Sequence, residues 1–202
     1  MRVYHRVRAG RPIRVVWALE EVGADYELVT MSAEEASSAE HRARHPLGRV
    51  PVLEDEHGPM FESTALVLHV AELYPEAGLL PPPATHERAV VQSWSIFAMT
   101  ELEAPAIESS RQREANPEAA SKAAARCADA VAVLEGALSG TPPYLVGSRF
   151  SVADIVAGGV LGIAVRVGAI EPSPTSVAYM ESLGARPAWQ RAASKLGARG
   201  PV

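Results

Sequence analysis

The first 75 positions alternate short strand-like apolar runs with stretches of helical hydrophobic period. Residues 2–5 predict a strand. Pro12 stands where a helix's first turn tolerates proline, Val15, Leu19 and Val22 follow on one helical face, and Gly23 stops it. Residues 26–30 predict a second strand, and the polar, alanine-rich stretch 32–44 one solvent-facing helix. Residues 50–55 and 59–62 predict two strands joined by a tight turn at Glu56-His57-Gly58. Ser63 opens a helix to residue 74 that buries Leu66, Val67, Val70 and Leu73, and Pro75 ends it. The predicted order is β-α-β-α-β-β-α.

Pro81-Pro82-Pro83 marks a stiff connection, and beyond it nothing has a strand's pattern. Helical spacing runs over 86–114, with Pro105 an expected kink. Asn116 and Pro117 cap and open a helix ending near Leu138, and 140–143 is a loop. Ser151-Val152-Ala153-Asp154 is a capping box, with Phe150 and Ile155 placed as a hydrophobic staple. Helices are expected at 175–183 and 187–196. The division is an α/β domain over 1–77, a linker over 78–84 and an all-helical domain over 85–202.

Composition narrows the function. The chain has 202 residues, 48% of them hydrophobic and 21% charged, which suffices for a core and excludes general disorder. A net charge of −5 lacks the basic footprint of a nucleic-acid binder. Cys127, the one cysteine, excludes an internal disulfide and a multi-thiolate zinc site. No stretch approaches a membrane span and no leader pattern opens the chain, so a cytoplasmic protein of a reducing compartment is expected.

The most informative stretch is Gly48-Arg49-Val50-Pro51-Val52-Leu53, followed by Phe61-Glu62-Ser63. Proline cannot donate to a strand ladder. With a cis Val50–Pro51 bond, the Val50 N–H and C=O turn outward and can hold an extended peptide as an added strand. Ser63 starts an apolar helix, whose first amides and the serine hydroxyl suit a carboxylate. Glu62 beside it suits an ammonium. Together they describe a receptor for a small peptide carrying both charges.

These residues, with the Arg14-Val15-Val16-Trp17-Ala18-Leu19-Glu20-Glu21 helix and Phe150-Ser151-Val152-Ala153-Asp154-Ile155, resemble the cytosolic glutathione transferases over nearly the whole chain. The resemblance implies a thioredoxin-like first domain, an all-helical second domain and a homodimer. It implies a glutathione site made by the Val50 backbone, cis Pro51, Glu62 and Ser63, with Arg49 near the glycine end. His45 precedes Pro46 where many members have asparagine, which leaves its role open. Such a site activates a thiol. A free thiol of pKa ~8.5 is mostly protonated near neutrality, and lowering that by ~2 units requires ~2.7 kcal/mol of thiolate stabilisation. One charged hydrogen bond plus a helix dipole is of that size. The resulting reaction is attack on a small hydrophobic electrophile in an interdomain cleft. Trp94, Phe97, Ala98, Glu101 and Leu102 are its candidate lining residues.

The pattern departs from the family at one place. Members supply the thiolate's hydrogen bond from a Tyr, Ser or Cys near the end of the first strand, and that position falls at Ala9 or Gly10 here. Arg8-Ala9-Gly10-Arg11-Pro12 holds no hydroxyl or thiol. The candidates are the backbone N–H groups of Gly10 and Arg11 with the Arg11 charge, then Tyr4, with Arg8 as a further electrostatic option. Arg2, Arg6, Arg8, Arg11 and Arg14 either form a cationic rim for anionic glutathione or pair with Glu20, Glu21 or partner-subunit carboxylates, Arg14 being structural. His41 and His45 share metal-ligand spacing, but no third ligand accompanies them. Mid-helix among alanines, Cys127 reads as a small buried apolar residue. A glutathione-dependent isomerase or peroxidase, and a non-catalytic binding or scaffold protein of the same fold, are the alternatives.

Overall fold

A computed structural model describes residues 1–7, 10–139 and 144–198, so Arg8, Ala9, the expected 140–143 loop and the last four residues lie outside the described set. The chain divides into two units, 1–78 with 187–198, and 79–186.

The first unit is built on strands β1 (Arg2–His5), β2 (Glu27–Thr30), β3 (Val52–Asp55) and β4 (Gly58–Phe61), in the order β2-β1-β3-β4. β1 and β2 run parallel, so a crossover must join them, and helix α1 (Pro12–Val22) supplies it. β3 and β4 complete the sheet antiparallel, with Val3 opposite Leu53 and Leu53 opposite Met60. The α1 residues from Pro12 to Glu20 are all buried, a far wider face than Val15, Leu19 and Val22 predict. The reason is a third neighbour. Helix α1 packs against β1, against helix α4 (Ser63–Leu73) and against the helix Pro187–Leu196, which the sequence pattern assigns to the second domain. Trp17 and Trp189 meet edge to face across that contact, 5.1 Å between centroids.

Two local expectations are corrected. Residues 32–44 form two short helices, α2 (Ala33–Ser37) and α3 (Ala39–Arg44). Ser38 ends the first in extended conformation and caps the second, its Oγ accepting from the His41 N–H at 3.1 Å. Leu73 is 49% exposed, because α4 stops there and its buried face is Ser63, Leu66, Val67, Val70 and Ala71.

In the second unit α5 (His86–Phe97) passes through a π-helical turn (Ala98–Glu103) into α6 (Ala104–Gln112). Pro105 lacks an N–H and crowds the carbonyl four residues earlier; the chain widens ahead of it, and the Ala104 N–H reaches back five residues to Met99. α7 (Pro117–Leu138) starts at the expected Asn116 cap. α8 (Val152–Arg166) is apolar on nearly all sides and forms the centre of this unit, contacting α5, the π turn, α6 and α9 (Pro174–Gly184). Its Ser151–Asp154 box is formed, and buried Asp154 also accepts from the Leu145 N–H and the Tyr179 hydroxyl, both at 2.9 Å. Leu79 and Leu80, expected in the linker, are buried, and the Leu79 carbonyl accepts from the Val152 N–H at 2.9 Å. Cys127 is fully buried, its S–H directed at the Leu102 carbonyl at 3.6 Å, and burial pushes its thiol up to about 11. The helix Pro187–Leu196, here α10, belongs by its contacts to the first unit.

Candidate glutathione site

The Val50–Pro51 peptide is cis, and it leads directly into β3. The chain reaches it through a β-turn at His45-Pro46-Leu47-Gly48, closed by the Gly48 N–H on the His45 carbonyl at 2.8 Å, with proline in the second place. Gly48 has φ +61°, and a Cβ there would stand 2.7 Å from the Ala36 carbonyl oxygen, so only glycine fits. Two buried histidines grip the turn and the segment leading to Val50. The His45 Nδ1 accepts from the Leu47 N–H at 3.1 Å, and the His41 Nε2 donates to the Arg49 carbonyl at 2.8 Å. Arg49 itself is exposed and Val50 half-buried.

Across the β3–β4 hairpin, Glu62 is exposed and has φ +71°, a left-handed conformation that a glutamate adopts only at a cost. It occupies the N-cap of α4 yet its side chain makes no cap hydrogen bond, so the first α4 amides keep their donors. Ser63, the first helical residue, is 1% exposed, its hydroxyl turned inward to accept from Arg14 Nη1 at 3.2 Å. That leaves the hydroxyl proton to donate. Arg14 is fully buried within α1, in the structural position expected of it.

At the end of β1, Tyr4 is buried, with Arg44 stacked 4.6 Å from its ring centroid. Its hydroxyl donates to Glu54 at 2.6 Å, and burial followed by that bond raises its pKa. A phenol so engaged directs its proton at a carboxylate, not at a ligand thiol. Gly10 and Arg11 are half-buried at the start of α1, where Arg11 takes the N-cap position without a side-chain cap bond and Pro12 has no N–H to offer. Arg2 pairs with Glu27 at 3.1 Å, whereas Glu20 takes its cations from α10, Arg191 at 2.7 Å and Lys195 at 2.5 Å.

Among the electrophile candidates, Trp94 and Phe97 are partly exposed and stack edge to face at 5.5 Å, and Glu101 is exposed. Ala98 and Leu102 are fully buried, because the π turn directs them into the helical unit, and they drop out as lining residues. Sequence reasoning missed the histidine grip on the turn; the signal was there in a side chain with a ring nitrogen two residues ahead of Leu47, the spacing of an Asx-type turn.

The model of the glutathione S-transferase N-terminal domain matches residues 1–72, and that of the C-terminal domain matches residues 108–191. The chain belongs to the glutathione transferase family. Maize glutathione S-transferase 4 is 33% identical over 93% of this chain and 90% of its own length. A sphingomonad glutathione S-transferase, whose solved structure is a complex with glutathione, aligns with 28% identity and a TM-score of 0.86, covering 98% of this chain and all of the other. Elongation factor 1-gamma of Trypanosoma cruzi is 33% identical over 68% of this chain, which spans only a third of that protein. The transferase fold accounts for both units, the four-stranded thioredoxin-like sheet with its helices and the all-helical unit after it. Among the described residues no helix is long and apolar enough to cross a membrane.

Proposed function

We propose that this transferase binds glutathione in the first unit and promotes attack of its thiolate on a small hydrophobic electrophile. The observation that carries the reading is the strained, exposed Glu62 set immediately ahead of the uncapped first turn of α4. Holding a non-glycine residue at positive φ costs about 1–3 kcal/mol, a strain found where function requires it. Its effect is to keep the α4 amides and Ser63 as donors for the γ-glutamyl carboxylate, with Glu62 beside them for the ammonium. The Val50 backbone next to cis Pro51 pairs with the cysteinyl segment as a strand would, and Arg49 serves the glycine carboxylate. The thiol's hydrogen bond comes from the Gly10 and Arg11 N–H groups at the start of α1, with the Arg11 charge and the helix dipole favouring thiolate. Tyr4 ranks below them because its proton serves Glu54. Trp94, Phe97 and Glu101 offer the electrophile an aromatic edge with one carboxylate. The enzyme acts as a homodimer in the cytoplasm.

A second reading is favoured by the absence of a hydroxyl or thiol between Arg8 and Pro12 and by the similarity to elongation factor 1-gamma: a glutathione-binding protein without turnover. One titration separates the two. Glutathione is expected to bind, with Ser63→Ala weakening it about tenfold through loss of one charge-assisted bond. Ultraviolet thiolate absorbance should show the bound thiol ionising about two pH units below the free value of ~8.5. Bound glutathione whose thiol titrates as in water would leave the binding protein and remove the transferase.

A further inference from the structure

The turn that delivers Val50 depends on a side chain whose hydrogen-bonding capacity changes with pH. In an Asx turn, an asparagine or aspartate oxygen accepts the N–H two residues on. Here the same place is filled by His45, whose Nδ1 accepts the Leu47 N–H at 3.1 Å while its carbonyl closes the turn on Gly48. An acceptor Nδ1 requires that nitrogen to be bare, so the neutral ring carries its hydrogen on Nε2. A proton added to Nδ1 converts the acceptor into a donor facing another donor, and the bond is lost. The next residue but one after Leu47 is Arg49, then Val50, so a loosened turn moves the strand edge on which the glutathione reading depends.

We propose that His45 is a positioning residue for the glutathione site, holding the Val50 edge in place while neutral and releasing it when protonated on Nδ1. This rests on the reading of the first unit as a glutathione site. His45 is buried, its ring centroid 5.0 Å from that of Phe61 on β4, the two planes tilted by 46°. The charged and titratable groups facing it are Glu62 at the N-cap of α4, His41 on α3 and Arg49 in the loop. Burial, His41 and Arg49 favour the neutral ring, Glu62 and a bond to the residue's own backbone the cation, and the balance lowers the His45 pKa below 6.5. The gate is therefore closed to protons at neutrality and opens as pH falls below that value. His41 completes the clamp from the other side through the Arg49 carbonyl, a bond that a neutral or a protonated ring can both donate.

The test is glutathione affinity by calorimetry for the full chain and His45→Asn at pH 7.5 and at a lower pH at which nitrogen-15 spectra show His45 protonated. Asparagine can accept the Leu47 N–H through Oδ1 but does not titrate, so this variant should bind as the natural protein does at pH 7.5. At that lower pH the natural protein should lose about five-fold more affinity than His45→Asn, the equivalent of one hydrogen bond. Nitrogen-15 spectra supply a readout independent of ligand: the His45 Nδ1 should resonate as an unprotonated nitrogen at pH 7.5, and the Leu47 amide should shift as His45 titrates. Equal pH dependence of affinity in the two proteins, or a protonated Nδ1 at pH 7.5, would overturn the role of His45 alone. No binding by the natural protein at pH 7.5 would overturn the glutathione reading and the gate with it.

Discussion

Glu20 joins the two ends of the chain, and replacing it with glutamine should loosen α10 from α1. Its side chain is 8% exposed and receives Arg191 at 2.7 Å, Lys195 at 2.5 Å and the Tyr26 hydroxyl, while its own carbonyl accepts a second bond from Arg191 at 2.9 Å. Burial pushes the carboxyl up, but the bonds from Lys195, Tyr26 and Arg191 outweigh it and bring the group down from 4.5 to about 2. At about 1.4 kcal/mol per pH unit, that displacement is worth about 3 kcal/mol. Arg191 and Lys195 are half in water, with 52% and 48% of their side chains exposed, so solvent already screens part of the attraction. We expect Glu20→Gln to cost about 1–2 kcal/mol at pH 7. The sign with pH is set by the depressed folded value: the stabilisation is complete above 4.5 and is lost as pH falls toward 2. Natural and substituted proteins should therefore converge in acid. Urea unfolding followed by tryptophan fluorescence reads this contact through Trp17 and Trp189, in a Trp94→Phe background that silences the second unit's tryptophan. Equal unfolding free energies at pH 7, or a gap that persists unchanged at pH 2, would refute the account. Because Gly10 and Arg11 stand at the start of α1, the same substitution tests how firmly the end proposed to activate the thiol is held.

Two further substitutions probe the site. Tyr4→Phe removes the bond to Glu54, which should cost about 1 kcal/mol of stability while leaving transferase turnover within about two-fold of the natural rate; a fall of orders of magnitude would show that the phenol assists sulfur. Gly48→Ala puts a methyl group 2.7 Å from the Ala36 carbonyl in a residue at φ +61°. It should lower stability by about 2 kcal/mol or more and weaken glutathione at least tenfold. Unchanged melting and affinity would show that this turn does not govern the Val50 edge.

Much of the architecture was legible because local rules and tertiary packing agree. The cap at Asn116, the box at Ser151–Asp154 and the stop at Gly23 are each satisfied by neighbours within a few residues, so the same atoms decide them in the sequence and in the fold. Pro51 and Ser63 could be read as the openings of a strand and a helix for that reason. Where several elements compete, pattern alone was insufficient. Residues 32–44 carry one continuous helical composition, yet Ser38 finds a better use as a cap. Pro105 signals an interruption without saying whether the chain bends or widens. Ala98 and Leu102 look like any apolar residues on a long helix until α7 and α8 cover the π turn.

By itself the sequence determined most of the order of elements and the family, because hydrophobic period, caps and turn residues act over a few positions, whereas the place of α10 in the first unit was decided by tertiary contacts. Only the tertiary structure decided which polar groups meet. Glu20 with Lys195, Tyr4 with Glu54 and Arg14 with Ser63 are pairings separated by 49 to 175 positions. Side chains of such different origin are brought together by burial of the helices and strands that carry them. Burial then sets which hydroxyl, carboxyl or imidazole still has a proton to give or a lone pair to offer.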